Sequence, residues 1–233
     1  MHDDLSALLP GRAASPARPL FGLTLLVVED SRFASEAVRL MCLRSGARFR
    51  RADCLASAER HLRVWRPAAA LVDLGLPDGS GLDLIARMAA QPQTSPVILA
   101  TSGDPTLEAA ARAVGADGFL PKPVESLRAF QSAILRAFPR GVPAPDGGAE
   151  DRVDPDRLAL RDDLALVAGL LGQEPDAPLR RYLARFLGGL ALGAHDPALA
   201  AAAEDLARDG PAEASLGRVR TLVQARLAEN AAF

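Results

Sequence analysis

Short apolar runs and helical periods alternate from residue 23 to residue 138. The run Leu23-Thr-Leu-Leu-Val-Val28 lacks strict polar–apolar alternation, so it predicts a strand buried on both faces. Ser31 is placed to cap a helix running to about Ser45, with Phe33, Ala37, Val38, Leu40 and Met41 on its apolar side and Gly46 as its stop. A weaker strand follows over Arg48 to Ala52, then a helix over Leu55 to Trp65 that ends before Pro67. Ala68-Ala-Ala-Leu-Val72 predicts a third strand, and a loop bearing Gly79 and Gly81 leads into a short helix over Leu82 to Ala89. Pro96-Val-Ile-Leu-Ala100 predicts a fourth strand. A helix, Gly115, a strand over Gly118 to Leu120 and a helix over Glu125 to Phe138 complete the series.

Strands separated by helical patterns imply an α/β fold: a parallel sheet with helices on both faces. Residues 1–20 read as a mobile arm, 21–138 as this α/β unit and 139–153, rich in proline and glycine, as a linker. Residues 154–233 read as helical throughout, an all-α module. Asp154-Pro155 suits a cap and first turn. Leu179, Tyr182, Leu183, Phe186, Leu187 and Leu190 fall on one apolar face. Gly188-Gly189 inside that pattern predicts a close helix contact or a break. Asp196-Pro197 opens another helix, Gly210-Pro211 closes it, and Leu216, Val219, Val223 and Leu227 mark a last amphipathic one.

Composition excludes more than it selects. A formal net charge of -2 supplies no electrostatic footprint for nucleic acid. Two cysteines, Cys42 and Cys54, fit neither a disulfide framework nor a metal motif and read as small apolar residues in a reducing compartment. No stretch approaches the ~20 apolar residues of a membrane span, and the first twenty residues lack a secretion signal's apolar core, so a cytoplasmic protein is expected. The chain has one lysine, Lys122, in Leu-Pro-Lys-Pro, although arginine serves every other basic position. An ammonium is a compact point charge with rotatable donors, not a planar fork.

In an open parallel sheet, ligands bind beyond the carboxyl ends of the strands. Those ends carry Glu29-Asp30, Asp73, Thr101-Ser102 and Lys122. Three carboxylates held together cannot all ionise without a cation. Hard oxygen ligands with open positions suit Mg²⁺, and a cation flanked by a lysine and a hydroxyl suits a phosphoryl group's oxygens. Asp73, alone at its strand end before a glycine-bearing loop, is best placed as nucleophile.

The motifs Leu-Val-Val-Glu-Asp-Ser, Leu-Val-Asp-Leu-Gly-Leu-Pro-Asp-Gly-Ser-Gly, Ile-Leu-Ala-Thr-Ser-Gly and Phe-Leu-Pro-Lys-Pro, in that order over residues 22–138, resemble the receiver domain of bacterial two-component response regulators. The resemblance implies a flavodoxin-like, doubly wound five-stranded sheet in the order 2-1-3-4-5. It implies that Asp73 accepts phosphate from a histidine kinase or histidine phosphotransferase. Asp30, Asp73 and the backbone carbonyl of Gly75 would bind Mg²⁺, with Glu29 assisting through water. Thr101 and Lys122 would hold phosphoryl oxygens, Thr101 and Phe119 would act as switch residues, and Lys122-Pro123 would be cis. Gly75 and Gly103 stand where the family often has larger side chains, which predicts an open site, and Phe119 stands where tyrosine is common.

For residues 154–233 the sequence offers less. His195 precedes Asp196-Pro197 and lacks a His-x-x-Lys-Gly motif, so it reads as a loop residue and not a phosphotransfer histidine. Arg180, Arg181 and Arg185 read as a solvated face. The leading expectation is a phosphorylation-switched regulator, with no enzyme activity beyond its own phosphotransfer and dephosphorylation. Its helical module would act on an unidentified downstream protein, and self-association is among the contacts it could make. Neither nucleic acid nor membrane is expected as a partner. The alternatives are a transcription regulator with an unrecognised helical DNA-binding tail, and a phosphate sink.

Overall fold

The computed structural model describes residues 18–91, 96–138, 153, 155–208 and 212–229. In chain order the elements are β1 (Thr24–Val28), α1 (Arg32–Ser45), β2 (Arg48–Ala52), α2 (Leu55–Val64), β3 (Ala69–Asp73), a hairpin pairing Gly75–Leu76 with Gly79–Ser80, and α3 (Gly81–Ala89). There follow β4 (Val97–Ser102), α4 (Glu108–Ala113), β5 (Gly118–Pro121), α5 (Leu127–Ala137), α6 (Arg157–Leu171), α7 (Ala177–Gly193), α8 (Pro197–Ala207) and α9 (Ala212–Glu229).

β1 to β5 form one parallel sheet in the order 2-1-3-4-5. Successive residues of a strand face opposite sides, and the two cores divide accordingly. Leu26, Val28, Ala70, Val72, Ile98 and Ala100 pack under α2, α3 and α4, through side chains such as Ala58, Leu84, Ile85 and Ala111. Leu25, Val27, Ala69, Leu71 and Leu99 pack under α1 and α5, through Val38, Met41, Phe130 and Ile134. This is the flavodoxin-like arrangement expected from the sequence. α1 begins at its Ser31 cap and ends at Gly46, whose φ of 81° terminates the helix in the left-handed region that glycine enters without a Cβ penalty. The cap of α2 comes from outside: Cys54 makes no capping bond, and Asp78 accepts from the Leu55 and Ala56 amides instead.

The predicted arm boundary at residue 20 lies too far along the chain. Leu20 is fully buried and its amide bonds the Ser45 carbonyl; most of that arm and of the 139–153 linker fall outside the described residues. Asp156, not the predicted Asp154, caps α6 through the Leu158 amide; Asp154 lies outside the described residues. α7 runs unbroken through Gly188-Gly189, and no atom lies near where their Cβ atoms would stand, so neither predicted role applies. The close approach falls at Gly193, where a Cβ would meet the Phe33 ring at 3.2 Å.

α6 to α9 pack as a helical module around Leu164, Leu183, Leu187, Leu199, Val219 and Val223. Phe33 does not join the sheet core as its place on α1 predicts. It inserts into the core of this module and ties the two halves together.

Cys42 is fully buried and burial pushes its thiol up to about 12, whereas Cys54 is partly exposed. A thiolate-seeking reagent at pH 8 will therefore modify Cys54 in the native protein and Cys42 only on unfolding. Two fast-reacting native thiols would contradict this packing.

Candidate functional site

Parallel register builds the site. Asp73 ends β3 directly beside Thr101 of β4, and Ser102 sits beside Pro121 at the end of β5. The Lys122 amide donates to the Ser102 carbonyl, which carries the lysine side chain back toward Asp73. The Lys122-Pro123 peptide is cis, as the resemblance implies.

Lys122 Nζ lies 2.6 Å from Glu29 Oε2 and 2.9 Å from Asp73 Oδ2. Ligand oxygens of Glu29, Asp30 and Asp73 all lie within 4.8 Å of one another. The Gly75 amide donates to Asp73 Oδ1 at 3.2 Å, so the Gly75 peptide stands at the site as well. Thr101 is 2% exposed, and its Oγ1 has no hydrogen-bond partner among the described residues. A buried hydroxyl without a partner is costly; here it adjoins the acidic group, where a ligand oxygen would satisfy it. Phe119 is half-buried and packs against the core under α2, α3 and α4. Arg51 holds the strand end from behind by donating to the carbonyls of Glu29 and Asp30.

Electrostatics follow from this crowding. Burial, with Asp73 and Asp30 alongside, pushes Glu29 up to about 8 despite the opposing pull of Lys122. Burial also raises Asp30, which a hydrogen bond from Tyr182 partly counters. Burial disfavours the Lys122 ammonium, but Asp73 and Glu29 outweigh it and hold its pKa above the ordinary lysine range. An acidic group of hard oxygen donors, relieved by only one ammonium, fits a divalent cation such as Mg²⁺.

The site is not open. Asp73 is only 7% exposed. The two glycines face the helical module: a Cβ at Gly75 would lie 3.9 Å from the Arg185 side chain, and one at Gly103 would lie 3.7 Å from Leu192. The space that larger family side chains would take is thus filled from α7. Arg181 and Arg185 are exposed, as expected of a solvated face, and they line a groove beside the Leu76–Ser80 segment. His195 lies between α7 and α8 with φ 53°, and its Nε2 is 3.0 Å from Glu125 Oε1, consistent with a loop residue.

Two residues of the site carry no motif. Tyr182 of α7 donates its hydroxyl to Asp30 Oδ2 at 2.8 Å. Asp163 of α6, 1% exposed, accepts from Ser31 Oγ at 2.7 Å, the Arg32 amide at 2.9 Å and the Phe33 amide at 3.0 Å, so the module caps α1 from outside.

The model of the response regulator receiver domain matches residues 25–134. That segment is a receiver domain. Among curated relatives, the transcriptional regulatory protein BasR of Escherichia coli K12 is 33% identical over 117 residues, which cover 49% of this chain and 53% of BasR. The virulence transcriptional regulatory protein PhoP of Salmonella typhimurium is 31% identical over 117 residues, 49% of this chain and 52% of PhoP. The chain spans about half the length of these relatives. A solved structure of a putative response regulator from Chloroflexus aurantiacus aligns with a TM-score of 0.41 and 31% identity over 43% of this chain and 85% of that one. Beyond the receiver the chain continues into the helical module, and no described helix is long and apolar enough to cross a membrane.

Proposed function

We propose that the chain is a two-component response regulator whose receiver is phosphorylated on Asp73 and whose helical module carries the output through protein contacts. The observation that carries this is the ammonium of Lys122 bridging Glu29 and Asp73 beside the unpartnered Thr101 hydroxyl. In phosphotransfer from a histidine kinase or histidine phosphotransferase, the phosphorus–nitrogen bond to the donor imidazole breaks and a phosphorus–oxygen bond to Asp73 forms. Asp30, Asp73 and the Gly75 carbonyl would hold Mg²⁺, with Glu29 assisting through water. The cation would neutralise charge on the phosphoryl oxygens. Lys122, freed from one of its carboxylates, would pair with one phosphoryl oxygen, and Thr101 Oγ1 would donate to another. Movement of Thr101 toward the phosphoryl group leaves room for Phe119 to follow, which reshapes the face of α4, β5 and α5.

The expectation of protein in place of nucleic-acid partners draws no support from the relatives, since BasR and PhoP are named as transcriptional regulators. That observation favours the second reading, in which the helical module binds DNA. One titration separates the two. Full-length protein with Mg²⁺ and beryllofluoride, which mimics the phosphoryl group, is added to labelled duplex DNA across a salt series. The leading reading predicts no binding above background. Binding that weakens linearly with the logarithm of salt would replace it with the second.

A further inference from the structure

The helical module grips both residues of the Asp30-Ser31 pair at the mouth of the acidic group. Ser31 is held through its hydroxyl by Asp163, which also takes the next two amides of α1. Asp30 is held through its carboxylate. Its Oδ1 accepts from the Ser31 amide at 3.0 Å and its Oδ2 from Tyr182 at 2.8 Å. Each carboxylate oxygen has two acceptor sites, so one bond to each fixes the rotamer and still leaves a lone pair per oxygen for a cation. Hydrogen bonds of this outer kind orient a ligand carboxylate and raise metal affinity. The donor comes from a helix 152 residues away in sequence, so whatever fixes the carboxylate also fixes the module.

We propose that Tyr182 is a positioning residue of the divalent-cation site: the helical module lends the hydroxyl that orients Asp30, so that cation binding and module docking stabilise each other. This rests on reading Glu29, Asp30 and Asp73 as that site. Linkage makes the effect reciprocal: if docking tightens the cation, the cation tightens docking by the same factor.

The test is calorimetric titration of Mg²⁺ into the full chain and its Tyr182→Phe variant, which keeps the ring and its packing against Phe186. The expected result is about 10-fold weaker Mg²⁺ binding in the variant. A second measurement needs no variant. In the wild-type protein, Mg²⁺ will slow amide hydrogen exchange at Arg32, Phe33 and along α7, and Tyr182→Phe will shrink that protection. Equal or tighter Mg²⁺ binding by the variant would overturn the proposal and leave the cation site standing, with tighter binding marking the hydroxyl as a competitor. Unchanged α7 exchange in the wild-type protein would overturn it too. Failure of the wild-type protein to bind Mg²⁺ at all would remove the cation site beneath it.

Discussion

Replacing Lys122 with methionine will destabilise the metal-free protein by about 3–5 kcal/mol at neutral pH, the cost of breaking a buried ion pair by removing one partner. Methionine keeps the length and apolar stem of the side chain, so the change isolates the charge. Glu29 and Asp73, 4% and 7% exposed, would face each other with no cation between them. Against a typical total stability of 5–15 kcal/mol, this is a large fraction. The sign of its pH dependence is fixed. Burial already raises Glu29 and Lys122 pulls it down, so without Lys122 Glu29 is held further above its unfolded value and the folded variant keeps a proton that the unfolded chain releases. Its stability is then greatest below the ordinary carboxylate range and falls as pH rises toward the raised values, the direction in which Glu29 is already pushed, to about 8, in the intact site. The gap from wild type therefore narrows in acid. Added Mg²⁺ will close part of the gap at neutral pH by binding the folded state alone. Urea unfolding with and without Mg²⁺ measures both effects, and a variant as stable as wild type in the chelated sample would contradict the pairing.

Gly81→Ala will lose stability and phosphate uptake together, although the usual rule points the other way. Gly81 opens α3 after its Ser80 cap, and alanine in a helix normally stabilises by up to ~1 kcal/mol over glycine. Here the new Cβ would collide with the carbonyl of Asp73 and press on the Leu74 Cα, which is backbone and cannot swing aside. Overpacking costs about 1–3 kcal/mol, so set against the full helix gain a net loss of up to roughly 2 kcal/mol remains. The strain falls on the peptide that positions the Asp73 carboxylate, the proposed phosphate acceptor, whose Oδ1 accepts from the Gly75 amide. Denaturant unfolding together with phosphate incorporation checks the prediction; a stabilised variant that still takes up phosphate would show that α3 shifts freely without moving Asp73.

The receiver was legible because β1, β3 and β4 are buried apolar runs ending in a chemically distinctive residue. The exception is the polar strand β2, Arg-Phe-Arg-Arg-Ala at the edge of the sheet, which is bracketed by Gly46 and the start of α2. Parallel register then brings Glu29, Asp30, Asp73, Thr101 and Lys122 to one edge without any knowledge of packing angles. The hairpin over Gly75–Ser80 escaped because two-residue strands leave no periodic trace. What the sequence hid was the join between the halves. Tyr182 sits on the apolar stripe of α7, and a helical period cannot distinguish a core ring from one whose hydroxyl reaches a neighbouring domain. Asp163 carried a usable signal: a carboxylate on the same stripe as Leu160, Leu164 and Val167, where a solvated charge does not belong. Such a residue must find donors, and it finds them at the α1 N-terminus more than a hundred residues away. The same join explains why the two glycines do not leave the site open.

The proposed function requires that Asp73 carry a transferable phosphoryl group with Lys122 and a divalent cation in attendance. The most direct test incubates the full chain with acetyl phosphate and Mg²⁺ and locates added phosphoryl mass by peptide mass spectrometry, with Asp73→Asn and a chelated sample alongside. One phosphoryl group is expected on the peptide containing Asp73, lost in the variant and without the cation. A folded wild-type protein that takes up no phosphate, or takes it up equally in Asp73→Asn, would contradict it.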